Sequence, residues 1–156
     1  MKAAVDLGLT NIDIIIAPDQ SEWSYYRFCN TQKPVLAELE AALQSAGFAP
    51  ASFETIAVTS GQYRALPAAI GATRLLKVNE VEAIARGGLF LAGMDEAIVV
   101  SAGSGTAVIA ARPHAARQWR RYLFCQPQTS HEPPGVVFPP PSLLLQSKFL
   151  LMRILV

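Results

Sequence analysis

Four short segments carry residues whose types and spacing go beyond what a packed core needs. Asp6-Leu7-Gly8-Leu9-Thr10 sets a carboxylate, a glycine and a hydroxyl at alternate positions of an expected turn. A glycine turn of this kind can present backbone N–H groups and a hydroxyl to an anion. Gly103-Ser104-Gly105-Thr106 lies between the apolar runs AIVVSA and AVIAA. Its glycines would let backbone amides approach an anion and its hydroxyls would add donors. Glu80 and Glu82 fall in the first turn of an expected helix, where the helix dipole favours acidic residues by roughly 0.3–1 kcal/mol. That suffices for Glu82. Glu80, preceded by Lys77-Val78-Asn79 and followed by Gly87, is the candidate general base. It would accept the proton of a substrate hydroxyl as that oxygen attacks a γ-phosphoryl group. Thr59-Ser60-Gly61 ends an apolar run and is a candidate for lining the substrate side of the same site. Taken singly, the two glycine turns are also what ordinary hairpins look like.

The elements that must position these residues follow from hydrophobic patterning. Lys2–Asp6 and the β-branched run Ile12–Ala17 read as two strands of a hairpin, and the aromatic run Trp23–Cys29 as a third strand. Pro34 opens a helix whose apolar residues Val35, Leu36, Leu39, Ala42 and Leu43 keep helical spacing until Gly47. Thr55–Thr59 and Arg74–Val78 are further strands. Asn79 is a suitable N-cap for a helix to about Ala92, with Val81, Ile84, Ala85 and Leu89 facing inward. Ala97–Ser101 and Ala107–Ala111 flank the second glycine turn as strands. The order resembles that of a ribonuclease-H-like α/β unit, the lobe that occurs twice in the actin-like ATPase and sugar-kinase superfamily. The expected domains are a first lobe over 1–94, the start of an incomplete second lobe over 95–112, and a tail over 113–156.

Composition narrows the classes. Of 156 residues, 51% are hydrophobic and 16% charged, which suits a core-rich globular chain. A net charge of +1 gives no electrostatic reason for a nucleic-acid or anionic-membrane partner. Cys29 and Cys125 stand alone, without the spacing of a metal site or a disulfide framework. The early apolar run is broken at Asp6, unlike a signal peptide, and LLLQSKFLLMRILV falls short of the roughly 20 apolar residues that span a bilayer. A soluble, cytoplasmic protein is expected.

The tail differs in kind. Residues 113–156 hold seven of the 11 prolines and only Glu132 as an acid, and show no helix start or hairpin turn. Gln118-Trp119-Arg120-Arg121-Tyr122-Leu123, read one nucleotide out of register with CGG arginine codons, becomes Ser-Gly-Gly-Gly-Thr-Phe. The expectation is a shift of reading frame between about Arg112 and Trp119.

Over residues 3–112 the chain resembles the type II (eukaryotic-like, Fumble-type) pantothenate kinases. Lys77-Val78-Asn79-Glu80-Val81-Glu82 with Gly87 resembles the family's K-x-[DN]-E-x-[DE] start and following glycine. VVSAGSGT resembles its V-N-x-G-[ST]-G-[TV] segment, Thr59-Ser60-Gly61 its TGG loop, and the shifted tail its GGGT. The resemblance implies ATP-dependent phosphorylation of pantothenate to 4′-phosphopantothenate, which opens coenzyme A synthesis; the alternatives are a related kinase of another small hydroxylated substrate and a non-catalytic, degenerate single-lobe protein. It implies Glu80 as general base, and Asp6, Gly8, Thr10, Gly103, Ser104, Gly105 and Thr106 as holding ATP phosphates and Mg2+. It further implies a family that is usually homodimeric through elements of the second lobe, which are missing from this frame. The chain departs from the family pattern at three places. Leu9 replaces the second glycine of DxGGT and is expected to crowd the phosphate turn. Asp13 stands near a usual lysine and is expected to oppose phosphate, and Ala107 replaces a serine.

Overall fold

The computed structural model describes residues 1–18, 23–31, 33–102, 105–112 and 115–123. They form two compact units, one of Met1–Val78 and one beginning at Asn79.

The first unit is built on a six-stranded mixed sheet. Strands β1 (Lys2–Leu7), β2 (Asn11–Ala17) and β3 (Ser24–Cys29) run as an antiparallel meander. Helix α1 (Val35–Ser45) then returns the chain to β4 (Thr55–Thr59), which pairs parallel to β1. A short β5 (Ala69–Ile70) and β6 (Thr73–Lys77) complete the order β3-β2-β1-β4-β6-β5, with β6 parallel to β4. The β-branched residues explain the sheet's centre, because side chains alternate between faces along each strand. Val5, Leu7, Ile12, Ile14, Ile16, Ile56, Val58 and Leu75 share one face and pack with Leu39, Ala42 and Leu43 of α1. The opposite face therefore receives Asp6, Asp13, Arg27 and Thr59.

Helix α1 starts without a side-chain cap at Pro34. Its N-terminal connection is tied instead by buried Glu38, whose Oε1 accepts hydrogen bonds from Thr31 N–H (2.9 Å), Thr31 Oγ1–H (2.6 Å) and Lys33 N–H (2.9 Å). Burial alone would raise this carboxyl's pKa; the donors from Thr31 and Lys33 outweigh that and hold it below the ordinary glutamate value.

The second unit differs from the expected division at residue 94. Helix α2 (Glu80–Ala92) packs on the sheet of β7 (Ala97–Ala102), β8 (Gly105–Arg112) and β9 (Ala115–Leu123), so it belongs with the strands that follow it. Ala85 and Leu89 meet Ile109 and Ala111 in one apolar cluster. Gly88 brings the helix close to β7, since a Cβ there would lie 2.5 Å from Val99 Cγ2. Tertiary packing decides membership here, whereas the sequence order alone suggested closure of the first lobe. Inner residues expected at Ala85 and Leu89 are buried, Val81 and Ile84 are partly buried, and Ala83 and Gly87 join the buried set.

The expectation of an unpatterned tail from residue 113 also needs correction at its start. β9 pairs antiparallel with β8 from Arg112↔Ala115 to Gly105↔Leu123, with an irregularity between Val108 and Ile109. The remainder, 124–156, lies outside the described residues. Among the described residues no helix is long and apolar enough to cross a membrane.

Candidate phosphotransfer site

In the first unit, the sequence-selected residues converge at one end of the sheet. Asp6 lies within β1, the strand it was expected to end, which continues one residue further to Leu7 through the Leu7↔Ile12 pair with β2. Its register partners are Asp13 on β2 and Thr59 on β4, and Asp13 in turn faces Arg27 on β3. Arg27, Asp13, Asp6 and Thr59 therefore form a polar row across four strands, on the face opposite α1. Because β1 and β4 are parallel, Asp6 and Thr59 both sit near the carboxyl ends of their strands, the edge where open α/β sheets bind ligands.

Beyond that edge, the loop after β4 lies against the end of β1. The turn Gly8–Thr10 is held by Asn30, whose Nδ2–H donates to Gly8 O at 2.8 Å and whose N–H donates to Thr10 O at 2.9 Å. After β4 the backbone turns sharply, with both Ser60 (φ 62°) and Gly61 (φ 54°) in the left-handed region. Gly61 is pressed so closely on β1 that a Cβ would fall 2.3 Å from Leu7 O. Gly8 is similarly required by its own hairpin, since a Cβ would meet Asn11 O at 2.7 Å. These glycines serve backbone closure, which brings the Thr59–Gly61 loop and the Asp6–Thr10 turn into one place.

Leu9 and Asp13, the two expected obstacles, differ in their surroundings. Leu9 is 65% exposed and has no positive φ, so the turn tolerates its side chain. Asp13 is buried and its charge is met locally: Oδ1 accepts from Arg27 Nε at 2.7 Å and from the Tyr25 hydroxyl. Burial, and after it the bond to Asp13, pushes the Tyr25 phenol up, keeping it a donor. The expected repulsion of phosphate by Asp13 is thus offset by Arg27 from the neighbouring strand. That compensation is invisible without the β2–β3 register.

The donor set at Asp6 and Thr59 suits a hard cation, because both offer oxygen and Mg2+ is usually held by one or two carboxylates with several retained waters. Thr59 is 3% exposed and its Oγ1 is buried without a hydrogen-bond partner, which is the kind of group a ligand or its water would satisfy. Among the described residues no group of three or more His, Cys, Asp or Glu side chains could hold a metal. Any cation would therefore rest on few protein oxygens.

In the second unit the structure separates the two glutamates at the start of α2. Asn79 caps the helix, its Oδ1 accepting from Val81 N–H at 2.9 Å. Glu82 is bound to Arg86 at 2.7 Å, an i,i+4 pair on the helix surface. Glu80 is exposed and makes no such pair among the described residues. Lys77 has a structural duty that its sequence context did not disclose: its Nζ donates to the carbonyls of Arg64 (3.0 Å) and Leu66 and fixes the turn before β5. Of the second glycine turn, Gly103 and Ser104 lie outside the described residues. Gly105 and Thr106 begin β8. Val81 beside Glu80 and Ala107 beside Thr106 pack on the same apolar cluster, so the start of α2 and the start of β8 belong to one packed unit.

No protein-family model matches the chain, and no curated protein matches it in sequence. Solved structures do match its fold. An N-acetylglucosamine kinase described as putative, from Porphyromonas gingivalis, superposes with a TM-score of 0.55 at 18% identity over 76% of this chain. A ROK family glucokinase from Streptomyces griseus, in complex with glucose and AMPPNP, gives 0.55 at 18% identity over 80%. Component A of (R)-2-hydroxyglutaryl-CoA dehydratase from Acidaminococcus fermentans gives 0.52 at 17% identity over 71%. The matches cover 47%, 48% and 42% of those chains respectively, so this chain spans less than half of each. The chain shares with these structures an incomplete actin-like α/β fold, ribonuclease-H-like in its first unit.

Proposed function

We propose that the chain is the first lobe and the beginning of the second lobe of an ATP-dependent phosphotransferase acting on a small hydroxylated molecule. One observation carries this reading: the register that sets Asp6 beside Thr59 at the carboxyl ends of parallel β1 and β4, with Gly61 pressed on the end of β1. In this reading Asp6 holds Mg2+ through water, while Gly8 and Thr10 with the 103–106 turn bind ATP phosphates. Glu80, free where Glu82 is engaged by Arg86, takes the substrate proton. Thr59, Ser60 and Gly61 line the substrate side. The cation and nucleotide supply charge neutralisation and the transferable phosphoryl group; the protein supplies position and the base.

The proposed substrate is pantothenate, supported by the K-x-N-E-x-E and GSGT segments in their order. A second reading, an amino-sugar or sugar kinase, is favoured by the fold neighbours that are described as N-acetylglucosamine kinase and glucokinase. The matches span less than half of those neighbours' chains, and the substrate is decided by the assay. The described residues alone supply part of a two-sided site, and a partial site makes fewer of the preorganised contacts that offset binding entropy. Calorimetry with Mg-ATP on the 156-residue chain is expected to give a Kd no tighter than millimolar. Submillimolar binding would refute the assignment of missing contacts. A chain continued through the shifted frame should phosphorylate pantothenate; phosphorylation of N-acetylglucosamine alone would select the second reading.

A further inference from the structure

We propose that the Thr59 hydroxyl is a second anchor for the divalent cation, accepting a hydrogen bond from a cation-bound water beside Asp6. The inference rests on the reading of Asp6 as the cation-holding carboxylate and names a new contact at that site.

Three observations meet at this residue. Thr59 is 3% exposed, yet its Oγ1 has no hydrogen-bond partner, although burying a hydroxyl unbonded is unfavourable and a valine of the same shape would avoid it. It is the register partner of Asp6 on an adjacent parallel strand, so both side chains leave the same face at the same level. The next residue, Ser60, is held at φ 62°, a conformation that costs a residue other than glycine free energy and concentrates at functional sites. Orphaned hydroxyl and strained backbone thus occur in consecutive residues next to a carboxylate.

The chemistry of the occupant follows from the neighbours. A bare phosphate would meet the negative charge of Asp6. A hydrated divalent cation suits both oxygens, since the carboxylate can take the metal or its water and the hydroxyl oxygen can accept from another water of the same shell. Arg27 and Tyr25 are engaged with Asp13 on the far side of the row and leave Thr59 as the polar group flanking Asp6 on β4.

The test uses the 156-residue chain with Mn2+ alone, followed by water-proton relaxation and by thermal unfolding. Thr59→Val should bind Mn2+ about three- to tenfold more weakly than wild type, the worth of one net hydrogen bond. Its Tm without metal should equal or exceed that of wild type, because the unbonded hydroxyl is gone. Thr59→Ser should keep wild-type affinity. Unchanged Mn2+ affinity in Thr59→Val would overturn the proposal, as would a lower metal-free Tm, which marks a structural hydroxyl. Failure of the wild-type chain to bind millimolar Mn2+ would do the same. Mn2+ binding that depends on Thr59, together with no phosphoryl transfer by the continued chain, would sink the kinase reading and leave this contact standing.

Discussion

Replacing Gly61 by alanine should separate backbone strain from direct contact, and so test how the two candidate loops are joined. Gly61 and Gly71 have nearly the same left-handed φ, 54° and 58°, but different surroundings. A Cβ at Gly61 would lie 2.3 Å from Leu7 O, whereas one at Gly71 would have nothing within 4 Å. Gly71→Ala should therefore cost only the left-handed penalty, about 1–2 kcal/mol. Gly61→Ala should cost that and a further contribution of about 1–3 kcal/mol for forcing β4's loop off the end of β1. The gap is read as the difference in urea midpoints at unchanged m-value. The strand end that must give way also carries Asp6, so Gly61→Ala should lower Mn2+ affinity while Gly71→Ala should not. Equal stability losses for the two variants would refute the stacking of the Thr59–Gly61 loop on β1.

Arg27→Met should destabilise the first unit by about 2–4 kcal/mol, toward the low side for a broken buried pair because the Arg27 side chain is 24% exposed; denaturant unfolding reads it, and a loss under about 0.5 kcal/mol would deny that Arg27 neutralises Asp13. For Glu38 the sign follows from its depressed pKa. Its contribution is fully present above the unfolded glutamate pKa, about 4.3, and is lost as pH falls through the lower folded value. Wild type should therefore lose more stability than Glu38→Gln between about pH 5 and pH 3, and parallel pH profiles would contradict that.

How much of this was legible in the sequence depends on whether a feature is local. The β-branched run of β2, the Asn79 cap and the spacing of α1's apolar residues are fixed within a few residues, and those elements stand where patterning puts them. Features set by distant pairing were hidden. Asp6 ends its expected strand in the sequence, but its place between Asp13 and Thr59, the latter some fifty residues on, follows only from the pairings of β1. Asp13 looked hostile to phosphate because its partner Arg27 is reached only through the β2–β3 register. α2 joins the second unit because Gly88 fits Val99, a contact with no signature in helical periodicity. β9 was unexpected because its arginine-rich composition is poor strand sequence on its own, and β8 templates it. At the site, Glu80 and the glycine loops could be picked out by residue type, while the significance of Thr59 required knowing that its hydroxyl is buried and unbonded.

The assignment of Glu80 as the base is tested most directly by comparing Glu80→Gln and Glu82→Gln in a chain continued past Arg112 in the shifted frame, with ADP release from Mg-ATP and pantothenate as the readout. Both variants keep the helix start, and Glu82 has a surface ion pair to lose where Glu80 has none. Glu80→Gln should lower kcat by about 100- to 10,000-fold, the usual contribution of a general base, while Glu82→Gln stays within about twofold of wild type, as expected for a surface pair. A Glu80→Gln enzyme that turns over at the normal rate would contradict the account.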